Sequence, residues 1–169
     1  CFSSLLLAGN QMRLPSGPLR EKLNNLRKFD AVFINGSNIN KQFLKKIKII
    51  NPEISIFSGE YVSSNYNKLR KNNYLTFCGI GNPNSFKNTL NKYRIKNELN
   101  LIYPDHYNYS ELEIKKIKDI AKLKKLKILT TEKDFYRIPI KLRKNINFLK
   151  INLKIKKLKQ FEKFIFEYL

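Results

Sequence analysis

The sequence predicts an α/β fold, a three-layer α/β/α sandwich around a mostly parallel sheet. Three observations predict it. Short apolar runs recur near residues 30–35, 74–78, 100–103, 127–130 and 147–152, as strands buried on both faces require. Helical patterns stand between several of these runs, which makes the flanking strands parallel. Three of the runs end in polar clusters, and ligands in open α/β sheets bind outside the carboxyl ends of strands.

In chain order, residues 1–16 read as loop. Ser16 and Gly17 precede Pro18, so a helix is expected over 18–28, proline being well suited to a first helical position. Residues 30–35 form a buried strand closed by Gly36. Residues 38–52 read as a short helix followed by a turn at Asn51-Pro52. Alternation over 53–63 predicts a strand with Ile54, Ile56 and Tyr61 inward, followed by a polar, basic linker over 64–73. The run 74–78 is a buried strand leading into Gly79-Ile80-Gly81-Asn82-Pro83. Asn82 then caps a helix that starts at Pro83 and reaches about residue 93. A strand over 100–103 delivers Asp105 and His106.

Ser110 and Glu113 make a capping box. The helix it opens runs to about residue 126, with Leu112, Ile117, Ile120 and Leu123 along its apolar stripe and a lysine-rich solvated face. After the strand at 127–130, Thr131 caps a turn carrying Glu132 and Asp134, acids that a helix N-terminus favours. A last strand spans 147–152. An amphipathic helix closes the chain over 156–169, with Leu158, Phe161, Phe164 or Ile165, and Tyr168 inward. This divides the chain into a lead-in segment and helix (1–29) and one α/β domain (30–169).

Composition narrows the class. The chain's 42% hydrophobic and 28% charged residues suit a globular protein with a real core. The net charge of +21 could draw nucleic acid, anionic lipid or a phosphorylated substrate. Its source is mainly lysine, spread with asparagine and isoleucine along the whole length, as a compositional bias of the genome would spread it. It is therefore weak evidence for any one partner. Cys1 and Cys78 have no metal-ligand spacing, in keeping with a reducing compartment. No run approaches the roughly 18 apolar residues of a membrane span. The chain opens on Cys1 rather than methionine, so further sequence is expected upstream.

The chemistry-bearing candidates lie at the strand ends. His106 is the only histidine; it follows Asp105, and an imidazole beside a carboxylate suits proton handling. Gly79 to Pro83 reads either as a phosphate-binding corner or as a tight strand-to-helix turn. The pattern is only G-x-G, with Asn84 where a third glycine would stand, and no G-x-x-x-x-G-K-[ST] occurs in the chain; both facts favour the turn. Gly81 is expected at positive φ, a region closed to β-branched residues. Lys133, in the first turn of its helix, is a candidate contact for phosphate or carboxylate, or else an exposed lysine among many.

Four segments together resemble a known family: Leu14-Pro15-Ser16-Gly17-Pro18-Leu19-Arg20-Glu21, Gly79-Ile80-Gly81-Asn82-Pro83, Tyr103-Pro104-Asp105-His106, and Thr130-Thr131-Glu132-Lys133-Asp134. Their order and spacing resemble the C-terminal half of the tetraacyldisaccharide 4'-kinases (lipid A 4'-kinases). The resemblance covers essentially the whole chain. It implies a P-loop-kinase-like fold and transfer of the ATP γ-phosphate to the 4'-hydroxyl of tetraacyldisaccharide 1-phosphate, giving lipid IVA. It further implies Mg²⁺, and work as a peripheral protein at the cytoplasmic face of the inner membrane. His106 and Asp105 match its catalytic region, with His106 pairing with a carboxylate of another domain; Arg20, Glu21, Asn82 and Lys133 are substrate or phosphate contact candidates. The family's phosphate-binding loop, metal-holding residues and aspartate base lie in an N-terminal half outside these residues. The implied partners are that half, the lipid A disaccharide precursor and the membrane surface. Phosphoryl transfer depends on a P-loop lysine and a metal, so autonomous activity is not expected. Two other readings compete: a basic nucleic-acid-binding module, which lacks any RNA- or DNA-binding signature, and an inactive remnant of the kinase. On the kinase reading, no nucleic-acid partner is expected.

Overall fold

The computed structural model describes all of the 169 residues except 5, 6, 37, 38, 168 and 169. The chain is α/β, with parallel strands and helices on the sheet faces. Among the described residues, the strands divide between two four-stranded sheets. Two compact units follow, residues 1–62 with 152–169, and residues 63–151.

The first unit holds β1 (Phe2–Ser3), β2 (Ala31–Asn35), β3 (Ser55–Ser63) and β8 (Ile151–Ile155), in the order β1-β2-β3-β8. β1, β2 and β3 pair in parallel. The strand period of two assigns the faces. Val32 and Ile34 point into a core with Phe43 and Ile47 of α1 (Lys41–Ile50) and with Leu23 and Leu26 of a 3₁₀ helix (Leu23–Lys28). Phe33 and Phe57 point the other way, with ring centroids 6.0 and 5.1 Å from Phe161 of α6 (Leu158–Phe166).

Several expectations change here. The helix expected over 18–28 is confined to the 3₁₀ segment, because residues 13–19 are tied across themselves by backbone hydrogen bonds (Leu14 N–H to the Leu19 carbonyl, Leu19 N–H to the Met12 carbonyl). Tyr61 is exposed, whereas Gly59 and Ser63 are buried. In α6, Phe161 and Phe164 both reach Phe57, while Leu158 and Ile165 are exposed. Tyr168 lies outside the described residues.

The second unit holds β4 (Asn73–Cys78), β5 (Lys96–Ile102), β6 (Lys127–Thr131) and β7 (Ile146–Leu149), all parallel, in the order β5-β4-β6-β7. Central β4 is buried on both faces. Leu75 and Phe77 pack with Ile114, Ile117 and Ala121 of α4 (Glu111–Leu123). Tyr74 and Cys78 pack with Phe86 and Leu90 of α3 (Pro83–Lys92). The two helices thus cover opposite faces. The expected polar linker contains a short helix, α2 (Tyr66–Leu69), whose Leu69 is buried. The expected strand over 147–152 is two strands of different sheets, separated at Lys150. Leu112 and Leu123 are exposed; the buried stripe of α4 runs Ile114, Ile117, Ala121.

Candidate active site at the strand ends of the second unit

The three polar clusters follow β4, β5 and β6, which are neighbours in the sheet. From β4 the chain passes through α3 to β5 on one side. It then crosses back through α4 to β6 on the other side of β4. The direction of winding therefore reverses between β4 and β6, and beyond the carboxyl ends of such strands an open α/β sheet leaves a crevice.

Asp134 is the buried plug at these strand ends. It lies in the first turn of α5 (Glu132–Arg137), and its side chain is fully buried. Its Oδ2 accepts the Gly79 N–H (3.1 Å) and the Thr131 hydroxyl (2.6 Å). Thr131 is the N-cap, and its Oγ1 accepts the Asp134 N–H at 3.1 Å. One turn on, Arg137 donates to the Gly79 carbonyl (3.0 Å) and lies 3.5 Å from Asp134 Oδ1. α5 thus holds both polar groups of the Gly79 backbone. The Gly79 amide is already satisfied by a carboxylate, which takes it out of any binding of phosphate by this loop. Gly81 does not sit at positive φ. Its constraint is proximity, since a Cβ there would lie 3.0 Å from Asp105 Oδ2.

His106 stands over this plug. Its backbone has a φ of 62°, and its N–H donates to the Gly79 carbonyl (3.2 Å) and to Asp105 Oδ1 (2.9 Å). Nδ1 is 2.9 Å from Arg137 Nη2, and Nε2 is 3.4 Å from Lys133 Nζ and 3.9 Å from Asp105 Oδ2. The side chain is 70% exposed. These strand ends therefore present an imidazole, an ammonium and a carboxylate to solvent, supported by buried Asp134 and half-buried Arg137.

Asp105, His106 and Lys133 are brought together as the sequence suggested. Asn82 lies on the adjoining loop and has a capping role, its Oδ1 accepting the Ser85 N–H at 3.2 Å. Arg20 and Glu21 belong to the first unit, where both are exposed and line a cavity of about 430 Å³ with Pro18, Leu23 and Leu26; Glu21 accepts a hydrogen bond from Asn25 at 2.9 Å. Arg137 was missed. Its signal was a position three residues after Asp134, one turn along the same helical face. Among the described residues, no group of three His, Cys, Asp or Glu side chains could hold a metal ion.

Two buried groups beside the plug are held protonated. Burial, then the negative charge of Asp134, pushes the Cys78 thiol up to about 11. The same causes in the same order raise the Tyr109 hydroxyl. Neither is a nucleophile at neutral pH.

A family model described as tetraacyldisaccharide-1-P 4'-kinase matches residues 5–169. The chain belongs to the tetraacyldisaccharide-1-P 4'-kinase family. It is 42% identical over 157 residues to a tetraacyldisaccharide 4'-kinase of Pelagibacter ubique (strain HTCC1062), a match covering 92% of this chain and 50% of that protein. It is 33% identical over 150 residues to one of Rickettsia peacockii (strain Rustic), covering 88% and 45%. A third, from Rickettsia typhi (strain ATCC VR-144 / Wilmington), is 35% identical over 136 residues, covering 78% and 40%. The chain thus spans about half the length of the family relatives it matches.

Proposed function

We propose that these residues form the C-terminal part of a tetraacyldisaccharide 4'-kinase, and that His106 is their contribution to the transfer step. In that step the sugar 4'-oxygen forms a bond to the γ-phosphorus of ATP, the bond to the β–γ bridging oxygen breaks, and the hydroxyl proton passes to a carboxylate base. The base comes from outside these residues, as do the phosphate-binding loop and the metal ligands. His106 orients that carboxylate through Nε2, and Asp105 and Lys133 flank the contact. Lys133, Arg20, Glu21 and Asn82 are candidate contacts to substrate or phosphate. The site works at a membrane surface, on the cytoplasmic face of the inner membrane, where a net charge of +21 would favour anionic lipid.

The observation that carries this reading is the placement of an exposed imidazole at the reversal point of the sheet, on a buried support that fixes its position. The test is a kinase reconstituted from this chain and a segment bearing the phosphate-binding loop, assayed by phosphate transfer from ATP to tetraacyldisaccharide 1-phosphate. His106→Ala should lower turnover by roughly 10²-fold or more with the fold retained. Unchanged turnover removes His106 from the mechanism.

A further inference from the structure

We propose that Arg137 is a positioning residue that sets which nitrogen of His106 carries hydrogen. Guanidinium only donates, and it stays charged at any pH a protein experiences. At 2.9 Å from Arg137 Nη2, His106 Nδ1 must therefore be the acceptor, which leaves the imidazole hydrogen on Nε2. The competing donor is Lys133, but its Nζ is 3.4 Å from Nε2, at the outer limit of a hydrogen bond. Two donors cannot both be accepted by a neutral ring with one lone pair free. The shorter contact comes from the better-anchored side chain: Arg137 is also fastened to the Gly79 carbonyl and to buried Asp134, whereas Lys133 is exposed.

The result is directional. Nε2–H and the Lys133 ammonium are two donors facing one region of solvent, a pairing suited to an anionic oxygen of a carboxylate or phosphoryl group. Whether that oxygen belongs to a kinase carboxylate rests on the function proposed above; the tautomer does not. A second-layer partner that fixes an imidazole's tautomer is a common way to orient a proton-handling histidine.

The chain has a single histidine, so the imidazole nitrogens give one set of signals. Long-range ¹H–¹⁵N correlation spectra of the chain should be recorded above the pH where the imidazole becomes neutral. The wild type should show Nε2 at the shift of a protonated ring nitrogen and Nδ1 at that of an unprotonated one. Arg137→Ala and Arg137→Gln should move the two shifts toward each other as the second tautomer enters. Lys133→Ala should leave them where they are. A backbone amide spectrum checks that each variant is folded. Nδ1–H in the wild type overturns the proposal without any variant. So does a tautomer that responds to Lys133→Ala and not to the Arg137 variants. Turnover is not read, so a failed kinase assay and a failed tautomer assignment are separate results.

Discussion

His106 occupies the left-handed region, with a φ of 62°. That conformation costs an L-residue with a Cβ roughly 1–2 kcal/mol, though histidine adopts it more readily than most. Strain of this kind gathers at functional positions. It can be separated from the chemistry by comparing two variants that both lack the ring. His106→Gly should be more stable than His106→Ala by about 1 kcal/mol in urea unfolding, because glycine adopts positive φ freely; equal stabilities would mean that the backbone relaxes at no cost. The residue scale also marks a limit of sequence reading. Asp105, His106 and Lys133 were legible because each sits just past an apolar run. Arg137 was not, because its importance lies in a contact to Gly79, 58 positions earlier in the chain, and its spacing of three residues from Asp134 says nothing of that contact.

At the scale of elements, the starts of helices were readable and the buried faces less so. Asn82, Ser110 and Thr131 cap α3, α4 and α5 as their sequence signals require. A cap is a local interaction between a side chain and amides two or three residues on. The stripe of α4 was misread because large apolar residues at both ends, Leu112 and Leu123, are exposed, while small Ala121 is buried.

The capping box also gives α4 a pH dependence. Ser110 donates its backbone N–H and its hydroxyl to Glu113 (2.9 and 2.6 Å), and the Tyr107 hydroxyl donates as well. The Ser110 hydroxyl is the largest cause, followed by Tyr107, and together these bonds hold the Glu113 carboxyl below its usual range. A carboxyl with a depressed folded-state value adds stability above its unfolded value and loses it as pH falls through the folded one. Glu113→Gln should therefore be less stable than the wild type at pH 7. The gap should begin to narrow below about pH 4, where the unfolded-state carboxyl takes up its proton, and should close once the folded-state carboxyl is protonated as well. A gap that stays constant with pH would show that the ionised carboxylate is not what the box uses.

At the scale of the whole molecule, the α/β class followed from the alternation of apolar runs with helical patterns, but the division into two sheets did not. The chain leaves one sheet and joins the other across a single residue, Lys150, with no glycine or proline to mark the change. What closes the second unit is a clasp between distant residues. The Asn65 amide donates to the Phe148 carbonyl (2.9 Å), its Oδ1 accepts the Lys150 N–H (3.0 Å), and the Ser64 N–H donates to the Lys150 carbonyl (3.1 Å). The two ends of residues 63–151 are thus fastened side by side, as in segments that fold alone. Both apolar clusters around β4 draw all their members from this segment, from Tyr66 to Leu149. The plug of Asp134, Arg137 and Gly79 lies inside it as well. Residues 63–151, expressed alone, should therefore unfold in urea in one cooperative transition and show the same His106 ring-nitrogen shifts as the full 169-residue chain. A broad, non-cooperative transition would mean that the strand-end cluster depends on residues outside the segment. A cooperative transition with altered ring shifts would place that dependence at His106 alone, in a fold that is otherwise self-sufficient.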